Sequence, residues 1–389
     1  MIAKPVPFSL HVPEEDIVDL RSRLARTRFP DQAPGDAWRF GTDVDYLRSL
    51  IDYWVSGFDW RAEEAALNAF PQFKVELHGI DLHYLHVPGV GPAPTPLVLL
   101  HGWPGSVFEF LEIIARLTDP VRFGGAASDA FTVVVPSLPG YGLSFRSGQP
   151  RFDVPQMAEC IFGLMHDVLG YERFGAQGGD WGAAVTSRLG YAHPEAMIGI
   201  HLNLLSPVGR VPSLLPNPND EERRYLEDVA RWTQEEAGYA AIQGTRPQSL
   251  AFALTDSPAG LAAWIVEKFR AWSDCDGDIE RAISRDRILA DISLYWFTGS
   301  INASFWPYYG RMHGAVILPP GSTISVPTGY AEFPREMIKP PRSAAERVFS
   351  DLRRWSVMPR GGHFAALEQP ALLAQEIQAF FGSLRDRPE

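Results

Sequence analysis

At residue 73 the hydrophobic period of this chain changes, and the change constrains its fold class more than any other feature. Before it, EEDIVDLRSRLART at 14–27 puts Ile17, Leu20 and Leu24 on one helical face. FPDQAPGD at 29–36 breaks that pattern, and VDYLRSLIDYWVSGF and WRAEEAALNAF then resume a helical period. After it, FKVELHGIDLHYLHV alternates and breaks at Gly79, which predicts two antiparallel strands. Six short apolar runs follow: PLVLLHG at 96–102, FTVVVPSLPG at 131–140, FGAQGGD at 174–180, MIGIHLNLL at 197–205, TISVPTG at 323–329 and RWSVMPRGG at 354–362. Helical stretches such as VFEFLEIIARL separate them. This alternation implies an α/β architecture, a mostly parallel sheet with helices on both faces. Active residues of such sheets gather beyond the carboxyl ends of the strands.

The rhythm stops between about 206 and 312, where EERRYLEDVARWTQEEAGYAA and AGLAAWIVEKFRAW read as helices and no core strand stands out. A helical insertion after the sixth core strand reads as a cap over the active site; a second domain unrelated to the chemistry is the alternative. The expected division is a helical extension at 1–72, a first core part at 73–205, a cap at 206–312 and a second core part at 313–389. The 35 Lys and Arg against 47 Asp and Glu give a net charge of −12, which argues against nucleic acid or an anionic membrane as partner. Two cysteines, Cys160 and Cys275, supply no disulfide framework, so a reducing, cytoplasmic setting is expected. The opening MIAKPVPFSLHVPEEDIVDL lacks the apolar run of a signal peptide or anchor, and no run of about twenty apolar residues predicts a membrane span.

GAQGGDWGAAV at 175–185 has the look of a strand, a sharp turn and a helix, with Asp180 at the tip where many hydrolases carry the serine of G-x-S-x-G. Aspartate is also a favoured helix N-cap. A cap, however, needs no small neighbours on both sides, whereas a strained elbow does. HGWPG at 101–105 directly follows LVLL, and such a loop can donate a backbone N–H, that of Trp103, to an oxyanion. The second donor would be the N–H of Trp181. His363, in PRGGHFAALEQP, is the expected base, since the competing His101 belongs to the oxyanion loop. The acid belongs after the seventh core strand, where VPTGYAEFPREM offers Glu332 and Glu336. Spacing favours Glu336 and leaves Glu332 open; Asn203, after the sixth strand, cannot carry the charge. The chain order nucleophile, acid, histidine is that of the α/β-hydrolase fold.

HGWPG, GYGLS (140–144), GGDWG and RGGHFA, preceded by a helical extension, together resemble the microsomal-type epoxide hydrolases over nearly the whole chain. The resemblance implies Asp180 as nucleophile, His363 as base and Glu336 as acid. It also implies two cap tyrosines that support the epoxide oxygen, Tyr239 and Tyr308, with Tyr309 one residue away. Membrane-bound members carry an N-terminal apolar anchor, so a soluble relative is expected. The implied partners are a small apolar epoxide and water, with no cofactor and no metal; a homodimer is compatible.

The aspartate suits that chemistry. An epoxide has no carbonyl, and its ring opens by back-side displacement at carbon, for which an ionised carboxylate needs no base. The expected product is a hydroxyalkyl ester on Asp180, hydrolysed by water that His363 activates, and the oxyanion donors serve that second step. Phenols with pKa about 10 can support the departing oxygen. The rival reading is a haloalkane or haloacid dehalogenase with the same aspartate, in which the indole N–H groups of Trp103 and Trp181 would hold the halide. A non-catalytic ligand receptor on the same fold is the reading from another class.

Overall fold

The computed structural model describes residues 4–205 and 215–385. Its strands are β1 (Val6–Phe8), β2 (Gln72–Leu77), β3 (Ile80–Val87), β4 (Thr95–Leu100), β5 (Phe131–Pro136), β6 (Phe174–Gly178), β7 (Met197–Leu202), β8 (Thr328–Glu332) and β9 (Leu352–Val357). They form one sheet in the order β1-β2-β3-β5-β4-β6-β7-β8-β9. β1, β2, β3 and β5 pair antiparallel in sequence, and every pair from β5 to β9 is parallel. The β2–β3 hairpin turns on His78 and Gly79, both at positive φ (53° and 76°), the backbone of a two-residue type I′ turn.

Helices cover both faces. Gly199 of β7 lies against Phe380 and Leu384 of the helix Pro370–Arg385, while its neighbour Ile200 meets Gly190 of the helix Asp180–Ala192. Successive strand residues point to opposite faces, so these two helices lie on opposite sides of the sheet. The parallel strands are apolar throughout (Leu97–Leu100 and Val133–Val135 are fully buried), as a sheet covered on both faces requires. Their shared direction brings the six loops after β4 to β9 to one edge.

Two strand expectations need correction. β1 was not anticipated: it is three residues long and half exposed, too short for a periodic signal, and it takes its place only by pairing Val6–Phe8 with Gln72–Lys74. The seventh core strand was expected at 323–329 but runs over Thr328–Glu332, with a lone bridge from Ile324 to Phe349. Pro327 has no N–H to give the ladder, so continuous pairing begins after it.

Between β7 and β8 the described residues form helices and, apart from the Ile324 bridge, no strand; the helices include Asp220–Glu236, Gly238–Thr245, Pro247–Asp256, Pro258–Trp272, Arg285–Thr298 and Trp306–Met312. The first part of the expected cap, 206–214, lies outside the described residues. The N-terminal helices Glu14–Ala25 and Val44–Ser56 lean on Pro258–Trp272, and Trp60–Asn68 leans on Arg285–Thr298. Trp54 Nε1 donates to Ser293 Oγ at 3.1 Å in a buried bond, and Arg287 pairs with Glu63 at 3.0 Å. The extension therefore braces the insertion against the sheet. No single helix among the described residues is long and apolar enough to cross a membrane.

Candidate active site

Asp180 sits at the tip between β6 and the helix Asp180–Ala192 with φ +44°, a left-handed backbone that costs energy for any residue with a side chain. The helix is capped by Gly179 without any side-chain bond, so Asp180 is not the N-cap the residue type alone allowed. Its neighbours are small because the elbow is crowded. A Cβ on Gly182 would collide with the Leu100 carbonyl, one on Gly178 with the Gly182 backbone, and one on Gly179 would come within 2.6 Å of Asn203 Nδ2. The strand, the turn and the helix can approach this closely only through glycine.

The carboxylate is turned toward the loop after β4. Trp103 N–H donates to Asp180 Oδ1 at 2.8 Å, and Gly102 permits it, since a side chain there would strike the aspartate. Burial pushes the Asp180 carboxyl up, but the hydrogen bond and charge of His363 and the N–H groups of Trp103 and Trp181 outweigh it and hold the group below its ordinary value. The two expected oxyanion donors thus converge on the carboxyl of Asp180 itself.

His363 follows β9 on the loop RGGHFA. Its Nε2 lies 3.4 Å from Asp180 Oδ2, and its Nδ1 lies 2.9 and 3.0 Å from the two oxygens of Glu336. An imidazole so placed holds its Nδ1 proton toward the glutamate and leaves Nε2 to exchange protons. Burial pushes His363 down, but the charges and hydrogen bonds of Glu336 and Asp180 prevail and raise it well above its ordinary value. Glu336 is buried, whereas Glu332, the other candidate acid, ends β8 and is half-buried, with burial pushing it up against the opposing charge of Lys339. The glycines again serve proximity: Gly361 has φ +106°, and a Cβ on Gly362 would sit 2.5 Å from the Trp272 carbonyl. Trp272 O accepts from His363 N–H at 2.9 Å, which ties the base to the insertion.

His101 is engaged elsewhere. Leu138 N–H donates to its Nε2 at 3.1 Å, so its Nδ1 donates to Gly102 O at 3.0 Å, and burial pushes it down to about 4. It braces the oxyanion loop as a neutral ring.

Tyr239, in the helix Gly238–Thr245, and Tyr308, in Trp306–Met312, meet above this triad. Their ring centroids are 5.7 Å apart, Tyr239 stacks on Trp103 at 5.4 Å and 12°, and Tyr308 stands edge-on to Trp181 at 4.8 Å. The Tyr308 hydroxyl is buried with no acceptor for its proton among the described residues, and burial holds it well above the ordinary phenol range against the hydrogen bond of the Trp181 side chain. It is a neutral donor without an acceptor. Tyr309 instead stacks on Trp306 and His313, which separates it from this cluster.

Below the triad lies a small cavity of about 20 Å³, room for about one water, bounded by Asp180, His363, Glu109, Gln177 and Asn203 together with apolar side chains of the core. Sequence reasoning missed Glu109. Within VFEFLEII both glutamates, Glu109 and Glu112, read as solvated helix charges, and nothing local marks Glu109 as inward-facing.

Fold and site define an α/β hydrolase whose elbow carries an aspartate in place of serine. The family model described as epoxide hydrolase N terminus matches residues 5–110, and that described as alpha/beta hydrolase fold matches 95–258. A relative from Stigmatella aurantiaca is 42% identical over 97% of this chain and 85% of its own length. Epoxide hydrolase 1 of Oryctolagus cuniculus is 38% identical over 97% of this chain and 88% of its own. The crystal structure of juvenile hormone epoxide hydrolase from the silkworm Bombyx mori superposes with a TM-score of 0.87 at 30% identity, over 98% of this chain and 95% of that one. The chain belongs to the epoxide hydrolase family, and it is a hydrolase.

Proposed function

We propose that this protein opens small apolar epoxides to vicinal diols through an ester on Asp180. The observation that carries the reading is the line from the Trp103 N–H through the Asp180 carboxylate and His363 to Glu336, beneath two buried tyrosines. Asp180 Oδ2, the oxygen not bonded to Trp103, attacks a ring carbon from behind; the carbon–oxygen bond breaks, and the ring oxygen takes a proton from Tyr308 or Tyr239. Water then bonds to Cγ of the ester and gives one proton to His363 Nε2. Negative charge grows on Oδ1, where the N–H groups of Trp103 and Trp181 oppose it. The Cγ–Oδ2 bond breaks, the released alkoxide takes the proton from His363, and the water's second proton returns to the tyrosine. Water and epoxide become one diol, and the enzyme is restored.

A second reading rests on the indole N–H groups of Trp103, buried with no partner among the described residues, and of Trp181, beside Tyr308, which could hold a halide leaving an alkyl chain. One experiment separates the two. His363→Gln enzyme, mixed with styrene oxide or 1-chlorohexane, should stall after the first step, and peptide mass spectrometry reads the adduct. The expected result is the whole mass of styrene oxide on the peptide holding Asp180. Labelling by the chloroalkane alone, with chloride released, makes the protein a dehalogenase. Failure of a broad epoxide panel to label it overturns the covalent mechanism. Cys160 and Cys275, buried as free thiols, support a reducing, cytoplasmic setting.

A further inference from the structure

We infer that Glu109 positions the hydrolytic water, holding it in the cavity below Asp180 so that it meets the ester carbonyl from the side opposite the tyrosines. The inference rests on the ester mechanism proposed above and assigns a residue to its second step.

The cavity reaches both reacting groups, Asp180 and His363, yet neither Tyr239, Tyr308 nor Trp181 lines it. The cavity is therefore a room apart from the tyrosine cluster, below the carboxyl. Among the polar walls of the lower room, Gln177 already donates to Asn203 at 2.9 Å, whereas Glu109 turns its carboxyl toward the oxyanion loop and the triad. The loop is built around that carboxyl. Of the two glycines in HGWPG, Gly102 makes room for Asp180, and Gly105 makes room for Glu109, whose Oε1 occupies the place a side chain at 105 would take. The Tyr295 hydroxyl donates to the Gly105 carbonyl at 2.9 Å and fixes this seat from the insertion.

A water beside this carboxyl lies between a group that can hold it and His363, which takes its proton. Burial, followed by the charge of Asp291, pushes Glu109 well above its ordinary value, against the opposing pull of His363 and the Gly102 N–H; Asp180 adds to the push. A neutral carboxyl both donates and accepts, and it adds no negative charge beside the tetrahedral intermediate. In the step itself the water oxygen bonds to Cγ of Asp180, one water proton passes to His363, and the bond from Cγ to the alkyl-bearing oxygen breaks. Glu109 neither gains nor loses a proton, so it is a positioning residue.

The test compares full-length wild type, Glu109→Gln, Glu109→Leu, Gly105→Ala and His363→Gln with styrene oxide, in steady state and by rapid quench with mass spectrometry. The amide of Glu109→Gln still donates and accepts, and its kcat should stay within about threefold of wild type. Glu109→Leu should lower kcat by roughly 10–100-fold, the scale of a misplaced reactant. Because only the second step slows, KM should fall with kcat, and ester should accumulate on Asp180. Gly105→Ala displaces the carboxyl and should show the same signature, so the inference stays falsifiable even where Glu109→Leu does not fold. A loss of kcat at unchanged KM without ester, or wild-type ester hydrolysis in Gly105→Ala, overturns it. The His363→Gln arm separates the two levels: no ester there removes the aspartate mechanism, whereas ester there and in neither Glu109→Leu nor Gly105→Ala removes only the role of Glu109.

Discussion

His363 meets opposed demands. In the proposed mechanism it must be neutral to take a proton from water, yet Glu336 and Asp180 both favour its charged form, and they overcome the burial that disfavours it. The proposed first step would relieve part of this, because an esterified Asp180 carries no charge and its pull on the ring disappears. On that mechanism His363 would titrate lower in the ester than in the free enzyme, and hydrolysis would gain its base at the moment it is needed. Glu336 remains as the partner that holds the ring's orientation through Nδ1. Replacing it by glutamine removes a raising charge and keeps much of the shape. The expected outcome for Glu336→Gln is a kcat lower by roughly 10²-fold or more, the scale of impaired general-base catalysis. Its rising limb in a kcat–pH profile should move to lower pH, since the sign of the lost interaction is to lower the histidine. A limb that stays in place, or moves up, would mean that Glu336 does not set the protonation of His363.

At the scale of elements, the elbow is a crossing of two strands and a helix in which glycines decide how near the backbones come. Gly182 faces the Leu100 carbonyl with no room for a methyl group, whereas Gly190, eight residues along the same helix, meets side-chain methyls at 3.0–3.3 Å. Alanine favours a helix over glycine by about 1 kcal/mol, so Gly190→Ala should stay within about 1 kcal/mol of wild type in urea unfolding. Gly182→Ala should lose about 1–3 kcal/mol to overpacking and lower activity with it, because the helix carries Asp180. Equal stability of the two variants would contradict the crowding. These glycines were legible in the sequence as a cluster around one reactive residue, and so were β4 to β7 and β9, whose apolar runs are long enough to show their period. β8 was misplaced because the run TISVPTG contains Pro327, whose effect on the ladder outweighs the apolar pattern. β1 escaped notice because three half-exposed residues carry no period. Glu109 escaped for another reason: its meaning comes from Gly105 and Asp291, and approaches through space leave no local pattern.

At the scale of the whole molecule, extension, insertion and core meet around the helix Arg285–Thr298, and the meeting place contains a buried acid. Asp291 lies on that helix, one turn from Arg287, which pairs with Glu63 of the extension, and from Tyr295, which bonds to Gly105 of the core. Burial pushes Asp291 up to about 8, against the pull of the Ser106 hydroxyl and Arg287, from an ordinary 3.8. Between those values the folded chain keeps a proton that the unfolded chain has lost. The stability this proton supplies is fully present below pH about 4 and falls away as pH rises toward about 8. Four pH units at 1.36 kcal/mol each set an upper bound of roughly 5 kcal/mol. Asp291→Asn, uncharged at every pH, should match wild type near pH 4 and exceed it near pH 8. The measurement is the urea midpoint at pH steps across that range, where the wild-type curve should slope downward and the variant's should flatten. Parallel curves would place the charge of Asp291 in water. Glu109, its neighbour in this cluster, is raised by the same burial, so the seam joining the three parts of the chain becomes less stable as pH rises. The hydrolytic step proposed above needs a neutral His363, which gains ground in the same direction. If His363 is the base proposed above, the working pH range of the enzyme is bounded below by that base and above by the buried acids.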